Sequence, residues 1–217
     1  MTIPLKYQRL PIEVKYNLSS YRACLDCKHG IDRLKRGNLT YSAWKVEWAG
    51  ICALLKTSIH LIREKDAKSC LPEILKNELK ESWNDLLRKK TQYPLFWEFI
   101  NKERNNIVKE YEFSAYEAIL KPDGTTRTPL GLFSFMEDGE KETLIIRNGY
   151  YKDRLALEVL TEAADWIENY ILATIIKAGY DPNEKRYAAT LLPLDHTLPE
   201  ILYPIIHAEI KANELTS

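Results

Sequence analysis

Residues 40–66 read TYSAWKVEWAGICALLKTSIHLIREKD, and this stretch decides the fold class. Trp44, Trp48, Ile51, Cys52, Leu55, Ile59 and Ile62 recur at spacings of three and four, so on a helix they line one face. Arg63 and Lys65 stand in the last turn, where cations favour the negative end of the helix dipole. Alternation of apolar and polar residues, the mark of a half-buried strand, is absent from it.

Outward from this helix the same period continues. NLSSYRACLDCKHGIDRLKRGN has serines near its start and Gly-Asn at its end, which predicts a helix of about 18 residues. On the other side, Pro72 suits the first turn of LPEILKNELKESWNDLLRKK. Pro94 opens QYPLFWEFINKERNNIVKEYEFSAYEAIL, read as a fourth helix running to about Leu120, where Lys-Pro-Asp-Gly breaks it. Residues 17–120 thus form the expected helical bundle core. Residues 129–149, PLGLFSFMEDGEKETLIIRNG, carry two apolar runs around Asp138-Gly139 and predict a β-hairpin inserted into the helical protein. Residues 152–179 predict a long helix closed by Gly179 and apolar on most sides, hence central in its bundle or shared with a second subunit. The segment 187–217 has prolines at 193, 199 and 204 and reads as irregular chain with a short terminal helix, and the first sixteen residues as an extended arm. The expected fold is mainly α: one domain, a bundle of five to six helices with a small β-hairpin insertion.

Bulk composition narrows function mainly by exclusion. The 217 residues are 45% hydrophobic and 29% charged, as in ordinary globular domains. Lys plus Arg and Asp plus Glu are both 31, so overall charge does not hold this chain to nucleic acid, and any such contact needs a local basic patch. No apolar run approaches the ~18 residues of a membrane span, and the start lacks the pattern of a secretory signal, so a cytoplasmic protein without membrane contact is expected. The four cysteines are then reduced thiols. Five Trp and thirteen Tyr point to an aromatic core or a self-association surface.

Residues 101–111, NKERNNIVKEY, hold the candidate site. At about 100° per residue, Ile107 and Tyr111 fall within about 20° of Ile100, and Arg104 at about 40°, inside the apolar arc. A guanidinium there must be paired, or must face a cleft or an interface. Glu47, flanking the apolar face of the 40–66 helix, is the carboxylate expected to pair with it. The competing reading is a structural salt bridge, or an arginine whose stem packs while its head reaches water.

The stretch also resembles the signature of the HEPN superfamily (higher eukaryotes and prokaryotes nucleotide-binding). That signature is an arginine, a polar residue, and four to six residues later a histidine, followed in one branch two residues on by a tyrosine. Arg104, Asn105 and Tyr111 match it, and Lys109 stands where that branch has histidine. The compatible helix order spans residues 18–179. The resemblance implies an up-and-down helical bundle that dimerises, bringing the motifs of two subunits into one cleft. Active members are metal-independent endoribonucleases, in which a base takes the ribose 2′-hydroxyl proton while a cation steadies the phosphate charge. By that resemblance Arg104 would steady phosphate, Asn105 would orient phosphate or base, and Tyr111 would position substrate or close the cleft. Lysine at 109 stays charged near neutrality, making it a poor base and a good phosphate contact. The expectation is therefore a catalytically impaired RNA- or nucleotide-binding accessory protein, of the kind bacteria use in toxin–antitoxin or defence systems, and a homodimer. The alternatives are an active metal-independent endoribonuclease using Arg104 with Lys109 or another base, and a scaffold acting through a protein partner.

Other constellations carry less. Cys24, Cys27 and His29 in CLDCKH lack a fourth zinc ligand, and at helical spacing two cysteines simply share a face. His60 points away from the main stripe of its helix and reads as a surface residue; it replaces the missing base only if the bundle brings it near Arg104. Asp195 and His196 have no nucleophile placed for a triad. KPDGTTRTPLGL lacks the Gly-Lys-Ser/Thr ending of a phosphate loop. Arg88–Lys90 reads as a solvated helix end. No cofactor and no metal is expected.

Overall fold

The computed structural model describes residues 11–37, 39–69, 71–129 and 136–186. They form five α-helices and five short strands: β1 (Ile12–Glu13), α1 (Ser19–Arg36), α2 (Tyr41–Glu64), α3 (Glu73–Arg88), α4 (Asn101–Glu110), β2 (Ala115–Leu120), β3 (Thr126–Arg127), β4 (Lys141–Ile146), α5 (Ala156–Lys177) and β5 (Lys185–Arg186). The chain is mainly α. The C-terminal segment 187–217, most of the N-terminal arm and the first apolar run of the expected hairpin lie outside the described residues.

Helix α2 forms as its periodicity predicts. Thr40 caps it, its hydroxyl accepting from Ala43 N at 3.2 Å. Trp48, Ile51, Cys52, Leu55, Ile59 and Ile62 are buried, while Trp44 stays half-buried and stacks on Trp48 with ring centroids 5.0 Å apart. Helix α1 packs closely against it at Gly30, where an added Cβ would come within 2.8 Å of Ile51. The N-terminus of α1 is capped from a distance. Its N-cap residue is Leu18, which has no polar side chain, and Asp66 from the turn after α2 accepts from Ser19 N at 2.8 Å and Ser20 N at 2.9 Å. Ser58 of α2 also ties the first turn of α1, donating to Ser20 O at 2.6 Å.

Helix α5 is the central one. Ala156, Val159, Leu160, Ala163, Ala164, Ile167, Ile171 and Ile175 are buried, against α1 on one side and α3 and β4 on others. Lys28 of α1 reaches Asp165 at 2.8 Å, and Ser82 of α3 meets Thr174 at 2.8 Å. This burial covers most of its apolar residues within one chain, and Ile176 stays exposed. Gly179 closes it at φ +86°, a conformation that disfavours any residue with a Cβ.

One expectation is corrected here. The fourth helix does not run to Leu120. A π-helical segment, Leu95–Ile100, leads into α4, which stops at Glu110, and Ala115–Leu120 is strand β2. Ala115, Ala118 and Ile119 are buried, in a sheet ordered β3-β2-β4 with antiparallel pairing. The turn at Asp138-Gly139 forms, with Gly139 at φ +85°. Strand β4, the second run of the expected hairpin, pairs along its length with β2, in register Ala115 with Ile146 and Leu120 with Lys141. The partner of β4 is hidden in the sequence because AYEAIL carries no strict alternation and comes only four residues after a helix. Arg127 clamps Glu140 beside this sheet through Nε–Oε1 (3.0 Å) and Nη2–Oε2 (2.7 Å). That hydrogen-bonded guanidinium holds the Glu140 carboxyl down to about 2.

Candidate functional site

The inward direction of α4 differs from the one predicted. Phe96, Phe99, Ile100, Glu103 and Ile107 are buried, which centres the buried arc about 50° from Ile100, toward Glu103. Glu103 is therefore the charged residue in the core, 2% exposed, and Arg104 lies half-buried at the edge of the arc. The Glu103 carboxylate accepts from Trp48 Nε1 at 2.7 Å and from Ser114 N at 3.1 Å, hydrogen bonds that compensate its burial. They also join α2, α4 and the lead-in to β2. Tyr111 is corrected too. It ends the helix in the left-handed region, φ 54°, is 72% exposed, and stacks edge-on against Phe113 at 5.4 Å. An arc drawn past Glu110 describes a helix that has already stopped.

Glu47 does not pair with Arg104. It is bound by Arg33 of α1, Oε1 to Nη2 at 2.8 Å. Among the described residues no carboxylate lies within ion-pair distance of Arg104, Lys56 or Lys109.

Arg104 opens instead on a cleft of about 400 Å³ between α2 and α4. Ala53, Lys56, Thr57, His60, Leu61 and Glu64 form the α2 wall, and Arg104 the α4 wall. Lys56 Nζ donates to Asn105 Oδ1 at 2.9 Å and Arg104 Nη1 donates to the same oxygen at 3.3 Å. Two cations thus converge on one neutral acceptor. Burial, with the charges of Arg104 and Lys109, lowers the affinity of Lys56 for its proton. Burial, then Lys56, also lowers that of His60, opposed by Glu64 and helped by Arg104 and Arg63. The His60 ring leans on Trp83, centroids 5.2 Å apart. Glu64, the acid at the rim, is already engaged by Lys68 Nζ at 2.6 Å and Arg63 Nε at 3.1 Å. Near neutrality the cleft therefore holds two uncompensated cations, a neutral imidazole and the Thr57 hydroxyl.

The motif residues are partly assembled. Arg104 lines the cleft and donates to Asn105 beside it, Lys109 is exposed nearby on the same helix and acts on Lys56 through its charge, and neither Lys109 nor Tyr111 lines the cleft. His60 satisfies the condition set for it, since it shares the cleft with Arg104. Lys56 and Thr57 were missed. The signal for Lys56 was present: four residues past Cys52, it falls about 40° from that buried position, the offset that drew notice to Arg104.

Cys24 and Cys27 are buried, and their thiols donate to backbone oxygens, Cys24 to Ala164 at 3.5 Å and Cys27 to Ala23 at 3.1 Å. Burial pushes the Cys24 thiol up to about 12 and also raises the thiols of Cys27 and Cys52 well above the ordinary cysteine value. Among the described residues no group of three or more His, Cys, Asp or Glu is disposed to hold a metal, and no helix is long and apolar enough to cross a membrane. No protein-family model, no curated protein and no solved structure matches the chain.

Proposed function

We propose that the chain is a HEPN-like RNA- or nucleotide-binding protein whose phosphate site is the cleft between α2 and α4. The observation that carries this reading is the unpaired half-buried Arg104, converging with Lys56 on the Asn105 side-chain oxygen. Bringing two cations together without an anion is electrostatically unfavourable, and a phosphate oxygen would relieve it with charge-assisted hydrogen bonds. Impaired catalysis is favoured by Lys109 at the motif histidine position and by Tyr111 standing outside the cleft. The resemblance adds a homodimer, and Val46, Val108 and Tyr111 are exposed apolar side chains on or beside these two helices that such a contact would cover.

Fluorescence anisotropy with a labelled single-stranded RNA tests the reading. Binding is expected to weaken between about 50 and 200 mM salt. It is also expected to disappear in an Arg104→Ala, Lys56→Ala double variant that keeps its circular dichroism. RNA bound equally well by that variant would refute the site.

One observation favours a second reading, an active endoribonuclease. His60 shares the cleft, and its lowered proton affinity keeps it neutral, as a base must be. Its ring nitrogen would take the 2′-hydroxyl proton, O2′ would bond to phosphorus, and the P–O5′ bond would break, O5′ taking a proton from water. RNA cleavage in EDTA that is lost on His60→Ala separates this reading from binding alone.

A further inference from the structure

The side chains that face the cleft outnumber the oxygens of an internal phosphodiester. Lys56, Arg104, Thr57 and His60 all line it, each with an N–H or O–H to donate. A phosphodiester within a strand offers two non-bridging oxygens and one negative charge. A phosphate monoester offers three oxygens and a charge of about −1.5 to −2 near pH 7. The positive charge meeting at Asn105 Oδ1 is that of Lys56 plus Arg104, with Glu64 already engaged by Lys68 and Arg63. A diester there leaves one cation unneutralised, whereas a dianion matches both. Ala53 and Leu61, the apolar residues of the same wall, offer no polar group that would carry a strand onward through the cleft.

We propose that the α2–α4 cleft is selective for terminal phosphate: a phosphate monoester at the end of an RNA, or a mononucleotide, in preference to an internal phosphodiester. The Asn105 side-chain oxygen, beside the cleft, stands in for one phosphate oxygen and keeps the Lys56 and Arg104 donors together at the cleft wall. This rests on the phosphate-binding reading above and adds the ligand class to it.

The experiment compares one RNA pentamer in three forms, with 5′-hydroxyl, 5′-phosphate and 3′-phosphate ends, against the full-length protein, with adenosine monophosphate as competitor. At least one phosphorylated form is expected to bind about tenfold more tightly than the hydroxyl form, the effect of one further charge a few ångströms from the cations in a partly screened site. The form that gains identifies the end recognised, and competition by the mononucleotide at similar concentration shows that the monoester suffices. Asn105→Asp, which places a carboxylate at the convergence point, is expected to abolish the preference without loss of helical content. Equal binding of all three pentamers overturns terminal selectivity and leaves RNA binding standing. No binding of any form overturns both.

Discussion

Replacing Asn105 with aspartate should make the protein more stable and less able to bind phosphate, and the opposed signs are what make the experiment informative. In the native chain Asn105 Oδ1 accepts from Lys56 Nζ at 2.9 Å and from Arg104 Nη1 at 3.3 Å. A carboxylate there turns two bonds to a neutral acceptor into two ion pairs. Unscreened attraction at about 3 Å and an effective dielectric constant near 20 would be about 5 kcal/mol per pair, an upper bound. Both cations are half-buried and reached by solvent, so about 0.2–1 kcal/mol per pair is the realistic range. The sum, about 0.5–2 kcal/mol, raises Tm by a few degrees in a domain of this size. The same carboxylate presents a negative charge to an incoming phosphate and occupies its donors, so affinity should fall tenfold or more. Differential scanning fluorimetry and anisotropy on one sample measure both quantities. A lower Tm would show that Lys56 and Arg104 do not meet at residue 105. Unchanged affinity would show that phosphate binds elsewhere.

Other positions make independent demands. Asp66→Ala leaves the amides of Ser19 and Ser20 without their acceptor and should cost about 2 kcal/mol, read as a lower midpoint in urea with an unchanged slope. Glu103→Ala orphans Trp48 Nε1 and Ser114 N in the core and should destabilise by about 2–3 kcal/mol, with tryptophan fluorescence altered. Because the folded chain holds His60 below its ordinary value of 6.5, the unfolded chain takes up that proton first as pH falls. The His60 contribution to stability is complete above about 6.5 and is lost below it, so His60→Ala should flatten the urea midpoint against pH in that window. Cys24, Cys27 and Cys52 should resist iodoacetamide at pH 8 in the native protein and react only in denaturant, as mapped by peptide mass.

Elements whose cause is local are legible from the amino-acid order alone. The three- and four-residue spacing from Trp48 to Ile62 forces an amphipathic helix wherever the rest of the chain lies, and α2 follows it. The pattern of α1 and the glycine after α5 act in the same local way, at Ser19–Arg36 and at Gly179. What failed depended on a partner far away in sequence. Ala115–Leu120 reads as helix by continuity and becomes a strand because β4 satisfies its backbone groups. Leu18 cannot cap α1, so Asp66 does.

The site divides in the same way. Helical spacing singled out Arg104 as a charge close to an apolar arc. It could not set the rotation of α4 to within the ~50° that separates a core position from a cleft wall. Tertiary packing decided that Glu103 goes inward beneath Trp48, that Glu47 is taken by Arg33, and that Lys56 and His60 of α2 stand beside Arg104. Periodicity orders residues around one helix axis, whereas a binding site depends on how two axes are turned toward each other, and that is set by the summed packing of the whole core.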